Sequence, residues 1–188
     1  MISVNEKPGT SRHAEGSKIG EIVTGSLFHV HARIVETMTP WAEVERSAPE
    51  LAAQVLARFL CHPHHILGTL RSDGSPRLSG INVMCNDGYL WFGSMPGAVK
   101  LADIERDARI ALHSAPLHES LEGGDAQISG IAVPLEASRV KQWRPDTPND
   151  GEYFSVLINS MHLVVVEGEN LAVNMWDNEH GVRSVNRR

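Results

Sequence analysis

Lys100 holds the clearest chemical position in the chain. It sits in the first turn of a helical stretch, Ala98–Asp107, entered directly from Ser94-Met95-Pro96-Gly97. A helix start leaves backbone N–H groups unpaired and carries the positive end of the helix dipole, so a lysine there makes a place to hold an anion. The plainer reading is a solvated charge on an exposed helix face. Arg77, beside a strand, can serve a ligand or simply protect an edge, and Ser94 can serve a ligand or only its turn. Cys61-His62-Pro63-His64-His65 brings three histidines together. The intervening proline, with no carboxylate or second histidine pair at helical spacing, argues against a zinc site, which needs three or four convergent ligands. His113 reads as a satisfied core histidine, and Trp91, Phe92 and Trp176 read as core or interface residues. No acid–base pair stands out, and GxGxxG, P-loop, GxSxG and HExxH motifs are absent from the sequence.

The elements that must position these residues are mostly short strands. Ile66 to Ser114 reads strand, turn, strand, turn, strand, helix, strand. Its turns are Ser72-Asp73-Gly74-Ser75 and Asn86-Asp87-Gly88, where Asp-Gly between apolar runs is a strong hairpin signal. Upstream, Trp41–Leu60 reads as one helix, with Ser47-Ala48-Pro49-Glu50 as a capping box and a stripe of Leu51, Val55 and Phe59 joined by Leu56 and Leu60. Downstream, Asp125–Pro134 is a strand in which Ser129-Gly130 suits a bulge, and Leu135–Trp143 is a helix ended by Pro145. Tyr153–Ile158, Met161–Val166 and Leu171–Trp176 are further strands. The nearly continuous apolar run at 161–166 predicts cover on both faces. Many strands, two or three helices and no βαβ alternation predict a mainly β, α+β antiparallel barrel.

The 188 residues suit one domain able to bury its own core. Lys+Arg 17 against Asp+Glu 23 leaves a net charge of −6, which speaks against a nucleic-acid surface. Two cysteines without CxxC spacing, no signal-type segment and no membrane span predict a soluble cytoplasmic protein. Residues 1–37 are polar and read as a flexible N-terminal extension containing one candidate strand, Leu27–Val35; the domain proper is expected over 38–188.

Three segments, LGTLRSDGSPRLSG (67–80), NDGYLWFGSMPG (86–97) and VKLADIERDARIALHS (99–114), occur in an order that resembles the flavin-binding split β-barrel family, which includes pyridoxamine 5′-phosphate oxidase and the deazaflavin-dependent reductases. The resemblance implies a six-stranded, Greek-key split β-barrel and a homodimer with composite cofactor sites. It also implies hydride transfer between FMN, or the deazaflavin coenzyme F420, and a small-molecule substrate. By the same resemblance Arg77, Leu78, Ser79 and Gly80 run beside the cofactor ring, Gly93 and Ser94 meet the ring or its ribityl chain, Val99 and Lys100 occupy the phosphate-binding pair, and Trp176 reaches the ring from the C-terminal segment. Relatives carry arginine where this chain has Val99, so the forked phosphate contact is missing. That leaves FMN, a deazaflavin or no cofactor open. A non-catalytic cofactor- or haem-binding barrel is the alternative.

Overall fold

The structure, a computed structural model, describes residues 38–115 and 123–187. The expected N-terminal extension and its strand Leu27–Val35 lie outside the described residues. Among the described residues there are ten strands and four helices, against the expected six strands and two or three helices. In chain order they are β1 (Thr39–Pro40), α1 (Trp41–Ser47), α2 (Pro49–Leu60), β2 (His65–Leu70), β3 (Pro76–Ile81), β4 (Val83–Asn86), β5 (Tyr89–Ser94), α3 (Val99–Arg106), β6 (Arg109–His113), β7 (Asp125–Pro134), α4 (Ala137–Trp143), β8 (Glu152–Glu167), β9 (Asn170–Asp177) and β10 (Gly181–Arg187).

All pairings are antiparallel. The main path runs β10-β9-β8-β7-β6-β2-β3 and does not close into a ring, while β5 pairs with both β4 and the first part of β8. Two expected strands, Tyr153–Ile158 and Met161–Val166, are one long strand. It stays continuous because β7 follows it across a register shift at Ser129/Gly130, which leaves Asn159 unpaired with β7. A Cβ on Gly130 would lie 2.0 Å from the Leu157 carbonyl oxygen, so this close approach needs glycine. One face of 161–166 is covered and the other only in part: Met161 and Leu163 are buried, His162 and Val164 are half-buried, and Val166 is exposed.

The single helix expected over 41–60 is two. Pro49 lacks an N–H and disfavours helical backbone in the residue before it, and Ala48 accordingly leaves the helix at φ −143°, ψ 58°. Ser47 does not cap the second helix; its hydroxyl donates back to the Val44 carbonyl at 3.2 Å. Leu51, Ala52, Val55 and Phe59 of α2 are buried in the core with Leu67, Leu90, Phe92, Leu112, Ile128 and Met161. A smaller cluster of Trp91, Val140 and Tyr153, flanked by Met84 and Trp143, lies on the other face of β4, β5 and β8. Full burial of each such apolar side chain contributes roughly 1.5–3 kcal/mol. No helix among the described residues is long and apolar enough to cross a membrane.

Candidate functional site

Strand alternation on β5 divides its side chains between two environments. Leu90 and Phe92 point into the main core, while Tyr89, Trp91 and Gly93 take the opposite face. Gly93 is directly opposite Tyr153 on β8, and a Cβ at residue 93 would come within 2.9 Å of that ring. Helix α4 covers this face through Trp143, whose ring centroid lies 5.5 Å from Tyr89 and 5.9 Å from Trp91. Trp143 Nε1 donates to Asp87 Oδ2 at 2.6 Å, which ties α4 to the β4–β5 turn. Beyond α4 the chain 144–148 folds back, and the Tyr153 hydroxyl donates to the Pro148 carbonyl at 2.9 Å.

Between this aromatic wall, the end of β3 and the start of α3 lies a cavity of about 620 Å³. Four of the nine residues that the resemblance assigns to the cofactor line it: Gly80, Gly93, Ser94 and Lys100. Lys100 Nζ donates to the Gly80 carbonyl at 3.2 Å, and burial pushes its pKa below the ordinary lysine value. A Cβ at Gly80 would meet nothing within 4 Å, so the surface over this end of β3 is open. His64 and Arg144 also line the cavity, and His64 Nδ1 is 3.2 Å from Asn82 Oδ1.

The other five residues are elsewhere. Arg77 points the other way across β3 and gives its Nε to Asp103 Oδ2 at 2.6 Å, while Ser79 shares that inward side, opposite buried Leu67. Leu78 is 73% exposed on the outer face of β3. Val99 is 62% exposed and lines a neighbouring cavity between α3, α4 and β8. Trp176 is 2% exposed and packs in the main core, so its ring does not line the cavity. Arg71, in the β2–β3 hairpin, donates to the Pro76 carbonyl at 2.9 Å.

The expectation for His113 changes, because the core histidine is another one. His65 is the buried histidine, held between the Phe59 carbonyl at 2.8 Å and the Ala115 N–H at 3.2 Å. His113 stands at the core's edge, its Nε2 3.0 Å from Asp125 Oδ2 and its side chain 37% exposed. Burial, with Glu45 nearby, raises the Cys85 thiol to about 11, so it is protonated at neutral pH and is a poor nucleophile.

Trp143, Arg144 and Tyr153 belong to the cavity although no motif announced them. The available signal was an aromatic and a cation at a helix end, followed by the proline-rich turn 145–148. Chemically, the cavity combines an aromatic wall, the bare backbone of Gly80 near the end of β3, and a partly buried cation at a helix start. That combination suits a flat molecule with an anionic tail.

The sequence matches no family model and no curated protein. Solved structures do match by shape. PhzG from Burkholderia lata 383, crystallised with tetrahydrophenazine-1-carboxylic acid, is 15% identical with a TM-score of 0.57 over 74% of this chain and 89% of its own. Campylobacter jejuni ChuZ is 11% identical with a TM-score of 0.55 over 73% of this chain and 63% of its own. A candidate pyridoxamine 5′-phosphate oxidase from Listeria innocua is 14% identical with a TM-score of 0.52 over 60% of this chain and 97% of its own. This chain therefore shares the β-rich split-barrel fold of the pyridoxamine 5′-phosphate oxidase-like proteins.

Proposed function

We propose that the chain is an oxidoreductase that holds FMN or a deazaflavin in this cavity and transfers hydride to or from a small molecule. The observation that carries the reading is the meeting of Lys100 with Gly80, Gly93 and Ser94 across from Trp143. Lys100 and the first turn of α3 would take the anionic end of the cofactor. The open surface over Gly80 leaves room for a flat ring, with Trp91, Trp143 and Tyr153 as its apolar wall. The bound cofactor supplies the hydride chemistry, and the chain's residues orient the partners and exclude water. PhzG was crystallised with a polycyclic carboxylic acid, which agrees in kind with a flat anionic ligand here.

The reading includes a homodimer with composite sites. Ile66 and Leu78 are exposed on the outer face shared by β2 and β3, and they supply an apolar surface for a second copy.

Titration with FMN and with the deazaflavin, followed by absorbance and fluorescence, tests the cofactor. Lys100→Ala removes one charge-assisted hydrogen bond of about 1.5–3 kcal/mol, so affinity falls by about ten- to a hundred-fold. Unchanged affinity in Lys100→Ala, or no binding of either cofactor, defeats the reading. A Soret band after haem addition, abolished by a single histidine change, selects the haem alternative. Native mass spectrometry reports subunit number.

A further inference from the structure

Lys100 has a second capacity, independent of the cofactor. Its Nζ contacts a neutral carbonyl, that of Gly80, and among the described residues it takes part in no ion pair. Burial is the cause that lowers its pKa. An amine partly withdrawn from water without a counter-charge spends more of its time unprotonated, and the unprotonated form is the nucleophile. Lys100 is one of the residues that line the cavity of about 620 Å³, so a ligand there has room beside the amine. Trp91, Trp143 and Tyr153 line the same cavity and offer a wall for a planar ring.

We propose that Lys100 captures planar aromatic aldehydes as imines. The Nζ lone pair forms a C–N bond to the carbonyl carbon. The carbonyl oxygen then departs as water, carrying the two hydrogens of the neutral amine, and the C=N bond closes. Nothing is oxidised or reduced in the step, and hydrolysis reverses it. The aromatic wall selects flat aldehydes by holding the ring while the amine attacks.

Lys141 is the internal reference, since it is the other lysine among the described residues and its Nζ is bonded to Asn149 Oδ1. The full-length protein, without added cofactor, is incubated with limiting 4-carboxybenzaldehyde, reduced with cyanoborohydride and mapped by peptide mass spectrometry. Lys100 should be labelled several-fold more than Lys141, saturably with aldehyde, and with its pH profile displaced to lower pH. Labelling at Lys100 equal to or weaker than at Lys141, or linear in aldehyde without saturation, overturns the proposal. Lys100→Arg keeps the charge but not the imine chemistry and should remove the saturable component. Prior addition of FMN or the deazaflavin separates the two readings. Protection of Lys100 supports both, whereas selective labelling that neither cofactor reduces leaves aldehyde capture standing and removes the cofactor reading.

Discussion

The guanidinium of Arg77 on β3 meets the carboxylate of Asp103 on α3 at 2.6 Å. Thr69 donates to the same oxygen at 2.9 Å, and Arg106 reaches the other at 3.3 Å. This network sets how α3 sits on the sheet, and α3 carries Lys100 to the cavity. Arg77 therefore serves the site by orienting its helix.

Asp103→Asn should lower stability more than removal of the exposed Arg109–Asp107 pair, and the loss should depend on pH. The hydrogen bond from Arg77 leads the effects that hold the Asp103 carboxyl below the usual carboxylate range, against the opposing effect of burial. A depressed folded pKa means the contribution is present above the unfolded value and lost as pH falls through the folded one. Thermal melts of the native chain should thus show a drop in stability below about pH 4. The Asn variant should show a shallower drop, and an equal slope in the two proteins would sink the assignment.

Gly80→Val separates site from scaffold. The position is an outward-facing strand residue with open space above it, so stability should change by no more than about 0.5 kcal/mol. The added methyls would stand in the open space over this end of β3, where the proposed ring would lie, so affinity for a flat cofactor should fall. A destabilised protein, or one that binds as before, contradicts the cavity geometry.

The sequence carried the order of elements well where turns and alternation were strong. The hairpin at Ser72–Ser75, the Asn86-Asp87-Gly88 turn and the bulge at Ser129-Gly130 are local features, set by two or three residues. Gly80, Gly93, Ser94 and Lys100 lie close along the chain, and they meet because β3, β5 and α3 follow one another. Trp143 and Tyr153 come from a distant helix and strand, and no local pattern reports that they face β5. Arg77 and Trp176 were legible as residue types but not as destinations. Which side of a strand faces a cavity depends on register, and register is fixed by partners far along the chain.

His65 should give the protein a second pH-dependent loss, near neutrality. Its Nε2 donates to the Phe59 carbonyl and its Nδ1 accepts from Ala115 N–H, which requires the neutral ring. Burial leads the causes that lower its pKa, partly offset by backbone hydrogen bonds to Phe59 and His62. Because the unfolded chain takes up the proton first, stability is full above about pH 6.5 and declines as pH falls from there toward the folded value. His65→Leu should cost about 1–3 kcal/mol for each backbone group left unpaired and should flatten this decline. Urea melts at mildly acidic and alkaline pH read both effects, and an unaltered slope would count against a neutral His65.

The contact between Gly93 and Tyr153 can be tested by coupling. A methyl at residue 93 would press on the Tyr153 ring at 2.9 Å. That ring cannot slide freely, because its hydroxyl is anchored to the Pro148 carbonyl at 2.9 Å and it meets Trp91 edge-on, 6.2 Å between centroids. Gly93→Ala should therefore destabilise by about 1–3 kcal/mol, as overpacking does, and displace the cavity wall at 144–148. Tyr153→Phe removes the anchor and lets the ring shift, so adding Gly93→Ala to that variant should cost less. The coupling in the double-mutant cycle should exceed about 0.5 kcal/mol by chemical unfolding. Strict additivity would mean that the hydroxyl does not hold the ring, and that this wall of the cavity is set by Trp143 alone.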